Sequence, residues 1–316
     1  MLKFILNRVL LLIPVLLGVS LVTFIIVRSI PGDPVEMLLG ADRRSTPEQK
    51  AAISRSYGLD KPLPFQYVKW LGHVVTGDFG KSLRTKRPLT QELRLRLPVT
   101  VELTLLAALI GATPALIFGV LAALRRNSRL DWLATVGTLV GISLPNFLLA
   151  TVLVLIFSFK LKWLPPVGYT AFSESPLQNL KTMILPAISL GLPLAAILMR
   201  ITRSSVLEVL GQEYVRVARA KGLSQSRVVF RHVLPNAGIP ILTVAGIQVA
   251  ALLGGTVIIE QIFGLPGVGR YIYEAIANRD YPVVQSVTLV MATIFVCVSV
   301  IVDILYAVLD PRLRTR

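Results

Sequence analysis

The stretch TVELTLLAALIGATPALIFGVLAAL, Thr100–Leu124, is followed at once by Arg125-Arg126-Asn127. An α-helix needs about 20 apolar residues to cross the hydrocarbon core of a bilayer, and this run supplies them. One carboxylate, Glu102, stands at its front edge, and the arginine pair stops it. Lipid tolerates apolar side chains on every side, while the helix satisfies its own backbone groups. Five further runs repeat the pattern: Ile5–Val27, Trp132–Phe159, Met183–Ile201, Ile239–Phe263 and Val283–Leu309. The expected fold is all-α, a polytopic membrane bundle of six transmembrane helices with an extracytoplasmic insert after the first. Residues 1–97 hold the first helix and the insert. Residues 98–316 hold the other five helices and a cytoplasmic loop, 203–235.

Composition agrees. Apolar residues make up 54% of the 316, and charged residues only 16%, against about 25% in an ordinary soluble domain. Mean hydropathy is +0.70. The net charge of +16 does not mark a nucleic-acid binder. The basic residues lie between the apolar runs, as topogenic charges do, and form no basic domain. Cys297 is the one cysteine, so neither a disulfide nor a cysteine-based metal site is available. His73 and His232 are far apart in sequence and are read as structural. The first run exceeds the apolar centre of a signal peptide and reads as an uncleaved helix. Pro14, Pro145, Pro186 and Pro193 lie inside runs and mark kinks.

Orientation follows from the short basic loops. The 203–235 loop carries Arg203, Arg216, Arg219, Lys221, Arg227 and Arg231 against Glu208 and Glu213. The 125–131 loop carries Arg125, Arg126 and Arg129, and the tail carries Arg312, Arg314 and Arg316. With six spans these segments and the N-terminus share one side, the cytoplasm. The basic segment 29–98 exceeds the length of roughly 60 residues at which the rule loses force, and is placed outside. Its Pro31-Gly32-Asp33-Pro34 start and Gly77-Asp78-Phe79-Gly80 turn suggest a small folded insert. The turn-rich segments 160–182 and 264–282 are the other outer loops.

The loop between the fourth and fifth runs is the most informative part of the chain. From Ser204, the residues Val206, Val209, Leu210, Tyr214, Val217 and Ala218 fall on one face of a helix. Gly222 supplies a stop. Ser224 is placed to cap a second short helix, which Leu234-Pro235-Asn236 ends. Periodicity alone leaves two readings open: an amphipathic platform for a partner, or a connector lying on the inner leaflet.

The run Glu213-Tyr-Val-Arg-Val-Ala-Arg-Ala-Lys-Gly222 with Leu234-Pro235 resembles the cytoplasmic signature of permeases of binding-protein-dependent ABC importers. Ala218, Gly222, Leu234 and Pro235 match its spacing. Arg216, Val217 and His232 depart from the general form toward that of the dipeptide, oligopeptide and nickel branch. Segments 97–104, 141–147, 184–187, 279–283 and 309–312 resemble the same branch, so the likeness covers nearly the whole chain. The resemblance implies an ATPase-coupling loop at Tyr214, Val215, Ala218, Arg219, Ala220, Lys221, Gly222, Leu223, Leu234 and Pro235. The small residues at 218, 220 and 222 would allow close approach, and Arg216, Arg219 and Lys221 would meet acidic groups.

The resemblance further implies a bacterial cytoplasmic (inner) membrane protein with both termini cytoplasmic. Its partners would be a second, homologous permease, two ATPase subunits, an extracytoplasmic substrate-binding protein and membrane lipid, with no nucleic acid. The chain itself would be no enzyme and would bind no cofactor, with ATP and Mg on the ATPase subunits. The cargo would be di- or oligopeptides, with glutathione or a nickel chelate as alternatives within the same machinery. The alternative from another class is a stand-alone ion-coupled secondary transporter or channel.

Against that alternative, only Glu102 and Asp303 read as intramembrane ionisable residues. Both lie near span ends and are expected in structural pairings rather than in a proton path. Phe79-Gly80-Lys81-Ser82 invites a phosphate-loop reading, but Val75 stands where the pattern requires glycine. No cluster of His, Cys or carboxylates suggests a membrane-bound enzyme. Gly254-Gly255 is the expected close helix contact, and Ser143, Asn146, Gln248 and Thr256 are expected as interhelical hydrogen-bonding groups or, alternatively, the lining of a polar path.

Overall fold

The computed structural model describes residues 2–29 and 60–309, with Thr46, Glu48 and Arg55. The Pro31–Pro34 turn and the 310–316 tail therefore lie outside the described residues. The helices in chain order are α1 (Leu2–Ser29), α2 (Leu63–Val75), α3 (Leu89–Leu124), α4 (Arg129–Ser143), α5 (Asn146–Leu153), α6 (Pro176–Leu210), α7 (Glu213–Ala220), α8 (Gln225–Val228), α9 (Leu234–Phe263), α10 (Val268–Ala277) and α11 (Tyr281–Leu309). A π-helical stretch, Val154–Lys160, continues α5, and another, Val229–Val233, joins α8 to α9. Among the described residues, five helices are long and apolar enough to cross a membrane, or six if one bent pair makes a single span.

That bent pair occupies the third run, Trp132–Phe159, and the kink expected at Pro145 is a sharp break. Arg129–Ser143 and Asn146–Lys160 meet at 104°. Pro145 has no N–H to donate and pushes the residue before it out of the helical region, and Leu144 is extended at φ −88°, ψ 121°. The fifth run differs in the opposite way. Leu234-Pro235 does not end a helix, because the chain stays helical from Gln225 to Phe263. Pro235 falls in the first turn of α9, where a missing N–H is tolerated. The Leu234 N–H reaches back to the Val229 carbonyl, which bridges the change of register.

Two helices outrun their apolar stretches. α3 begins at Leu89, and its charged first turns are held in part by Glu92. Buried Glu92 contacts Arg96 at 3.0 Å and Arg87 at 3.4 Å. α6 starts where Ser175 accepts from the Gln178 N–H and Pro176 occupies its first turn. Its 35 residues extend about 50 Å, well beyond a hydrocarbon core of about 30 Å.

The chain forms two compact units, the first of Met1–Val9, Pro98–Arg270 and Phe295–Arg316, the second of Leu10–Leu97 and Tyr271–Ile294. In the first, α6 is central. Of its most apolar window 67% is buried, against 28% for α3. Leu103, Met183, Leu190, Leu198, Ile259 and Phe263 form the core around it. Close approach depends on Gly111 and Gly191. A Cβ on Gly111 would lie 2.5 Å from the Gly191 carbonyl oxygen, and one on Gly191 would lie 2.6 Å from that of Ala107. The contact expected at Gly254-Gly255 is not of this kind. Gly254 has open space beside it, and Gly255 meets only the side chains of Leu190 and Asn146. Ser143 turns its hydroxyl back to the Leu139 carbonyl and is exposed.

The edge carboxylates are paired, as expected. Asp303 meets Arg8 at 3.2 Å. Glu102 accepts from the Tyr169 hydroxyl at 3.0 Å. Burial, then this bond, push the Tyr169 hydroxyl up to about 12, so it remains a proton donor at physiological pH.

In the second unit, Phe24, Tyr67 and Trp70 form an aromatic cluster, and the Tyr67 hydroxyl meets that of Ser20 at 2.8 Å. Arg96 lies 4.4 Å over the ring of Tyr271, whose hydroxyl burial pushes up to about 12. The Phe79–Ser82 motif has a structural occupant. Asp280, itself buried, accepts from the Ser82 hydroxyl, from the Leu83 N–H at 3.1 Å and from the Arg84 N–H at 3.4 Å. Successive N–H groups of this kind form an anion cradle, and here the chain's own carboxylate fills it.

Candidate functional site

The candidate site is the 203–235 loop, built on the C-terminal end of α6. α6 stops at Leu210, where the Gly211 N–H folds back to the Leu207 and Glu208 carbonyls. A new helix, α7, starts at Glu213. This break resets the helical phase. The sequence placed Tyr214, Val217 and Ala218 on one face with Val206, but the structure divides them. Val215 and Ala218 join Val206, Val228 and Val233 in the core. Tyr214 and Val217 point outward, 44% and 52% exposed.

α7 packs on both α6 and α8. Gly222 ends the Glu213–Lys221 segment at φ +78°, a left-handed conformation open to glycine at little cost. Its N–H donates to the Arg219 carbonyl, and the Leu223 N–H reaches back to Ala218. Ser224 occupies the N-cap position of α8 but makes no side-chain cap bond, its hydroxyl lying 3.4 Å from that of Ser226. Ala220, Lys221, Gly222 and Pro235 are exposed, and Leu223 and Leu234 are half-buried. Ala218, read from the sequence as room for a partner, is filled by the chain itself.

The loop thus exposes the apolar side chains of Tyr214, Val217 and Phe230, the last 72% exposed, and the cations Arg216, Arg219 and Lys221. None of these three forms an ion pair among the described residues. Apolar anchors rimmed by charge are the usual make-up of a docking surface.

Two features escaped the sequence reading. Asp131, buried at the start of α4, pairs with Arg203 on α6 through Nε to Oδ1 and Nη2 to Oδ2, the latter at 2.9 Å. By sequence alone Arg203 is a topogenic charge. The pair fixes the C-terminal part of α6 one helical turn or more before the chain folds back at Gly211. Glu260 is the second feature and a correction, because it is an ionisable residue inside the fifth run. Fully buried, it accepts from the Thr100 hydroxyl at 2.7 Å and the Arg270 N–H at 2.8 Å, and also from the Gly269 N–H. Its carboxylate closes the first turn of α10. The signal was present in Glu260 followed by Gly264-Leu-Pro-Gly-Val-Gly269, since a carboxylate before a glycine-rich turn and a new helix is a capping arrangement. Among the described residues no group of carboxylates, histidines or cysteines is placed to hold a metal ion.

Residues 115–315 match the family described as the inner membrane component of binding-protein-dependent transport systems, and residues 1–104 match its N-terminal companion. A di/tripeptide transport system permease protein from Pseudomonas aeruginosa is 44% identical, with 99% of each chain aligned. A dipeptide transport system permease protein from Alkalihalophilus pseudofirmus is 42% identical over 99% of this chain and all of its own length. An oligopeptide transport system permease protein from Bacillus subtilis is 37% identical over the same shares. Among solved structures, the inward-facing MetNI methionine ABC transporter has a chain that aligns with TM-score 0.59 at 17% identity, covering 70% of this chain and 98% of its own. That likeness concerns the fold. With its apolar helices and its match over nearly the full length, the chain belongs to the family of inner-membrane components of binding-protein-dependent transport systems.

Proposed function

We propose that the chain is one of two permease subunits of an ATP-driven importer of di- and oligopeptides, and that the 203–235 loop receives the ATPase subunits. The observation that carries the peptide reading is the agreement among full-length relatives, whose names specify di-, tri- and oligopeptide transport. Both termini face the cytosol, and the bent pair α4–α5 counts as one of six spans. A substrate-binding protein delivers cargo on the outer side. ATP is hydrolysed on the separate subunits, and movement of their groove is carried through α7 and α6 into the bundle. A short helix that is anchored inward by Val215 and Ala218 and presents Tyr214 and Val217 outward suits such a lever.

The test is uptake and ATPase rate in vesicles holding the full complex. Gly222→Val forces a β-branched residue into a left-handed conformation, a strain of about 1 kcal/mol or more. Val217→Glu places a charge on the outward apolar surface without disturbing the core. Both are expected to lower uptake and substrate-stimulated hydrolysis at least ten-fold, whereas Gln212→Ala is nearly silent. The chain purified without ATPase subunits is expected to hydrolyse no ATP. Normal uptake by both variants in an assembled complex would make the loop an ordinary connector.

Orientation is tested separately by Thr85→Cys in a Cys297→Ser background. An impermeant maleimide applied to intact cells should label position 85. Labelling only after the inner face is opened would overturn the six-span arrangement.

A further inference from the structure

The turn after Gly80 is held more firmly than an exposed connector requires. Besides its bonds to Asp280, the Ser82 N–H donates to the Arg87 carbonyl and the Lys86 N–H to the Ser82 carbonyl, each at 3.0 Å. The Ser286 hydroxyl donates to the Phe79 carbonyl at 3.1 Å, and Asp78 accepts from the Gly80 N–H at 2.9 Å. The turn displays Lys81, Arg84, Lys86 and Arg87, with Arg94 on the following helix, all exposed. Arg87 lies 3.4 Å from buried Glu92. Lys81, Arg84, Lys86 and Arg94 form no ion pair among the described residues. Asp78 is the exposed acid of the turn, and it lies 3.5 Å from His73.

Cations clustered outside the membrane run against the usual distribution of Lys and Arg. Length excuses them from setting topology, but it does not explain their concentration on one fixed turn. We propose that the 81–87 turn, with Arg94, is a docking surface for an acidic face of the extracytoplasmic substrate-binding protein. The proposal rests on the orientation given under Proposed function. A rigid array of cations favours a protein partner, because complementary fields set encounter rate and register between fixed surfaces. Lipid headgroups adapt to a mobile array equally well and need no such scaffold.

The experiment uses the complete transporter in vesicles and the purified binding protein that supports its uptake, titrated in the ATPase assay. The triple variant Lys81→Glu, Arg84→Glu, Lys86→Glu is expected to raise the half-saturating concentration of binding protein about ten-fold at low salt. Its rate at saturation and its basal rate stay unchanged. The difference from wild type should shrink as salt rises toward the screening limit. An unchanged half-saturating concentration would overturn the proposal. So would an effect present in vesicles with phosphatidylglycerol but absent in pure phosphatidylcholine, which would assign the cations to anionic lipid. The labelling at position 85 distinguishes this failure from failure of the orientation, since external labelling with unchanged titration condemns the docking surface alone.

Discussion

Glu260→Ala is expected to destabilise the isolated chain by about 3 kcal/mol or more, because it strands several buried donors at once, each worth roughly 1–3 kcal/mol when left unpaired. The Thr100 hydroxyl and the Gly269 and Arg270 N–H groups all converge on this carboxylate. Thr100 in turn accepts from the Val268 N–H at 2.8 Å, so loss of the carboxylate releases both ends of the turn between α9 and α10. Glu260→Gln keeps one acceptor oxygen but turns an NH2 group toward N–H donors, and should fall between Ala and wild type. Gly267→Ala is a second route to the same damage, as its Cβ would sit 2.3 Å from the Glu260 carboxyl group. Thermal unfolding in detergent, with protease sensitivity of the 264–268 turn, measures the effect. A Glu260→Ala protein that unfolds at the wild-type temperature with the turn still protected would show that the carboxylate is dispensable.

Gly191→Ala should be nearly as severe. The methyl group would meet the backbone oxygen of Ala107 at 2.6 Å, and a backbone cannot turn aside as a side chain can. Either α3 and α6 separate or one of them bends. Inside a bilayer, where lipid tails are as apolar as leucine, helix association rests on such close fits, so the loss is expected to reach about 2 kcal/mol, within the usual range for overpacking. Gly111→Ala meets the reverse face of the same contact and should behave alike. Gly254→Ala supplies the control. Its Cβ enters open space, and alanine is the better helix former by about 1 kcal/mol, so the variant should be neutral or slightly stabilised. Equal unfolding of the Gly191 and Gly254 variants in a denaturing-detergent titration would remove the close approach as a determinant of the fold.

The apolar runs and the turn at Gly222 were legible in the chain because each depends on local chemistry. A bilayer demands a length of apolar helix wherever the chain crosses, and a left-handed turn favours glycine whatever lies nearby. Family membership was legible for a related reason, since its motifs are contiguous. What only the tertiary structure decided is how distant segments meet. Gly191 looked no different from Gly254 until α3 was laid against it. Arg203 looked like a topogenic charge until Asp131 was placed beside it. Glu260 was hidden inside an apolar run because its partner Thr100 stands 160 residues away. The outward face of α7 was misassigned because one broken turn at Gly211 shifts the helical phase, and periodicity carries no record of such a break. Close packing and polar satisfaction are pairwise properties of residues remote in the chain, so they become determinate only once the helices are assembled.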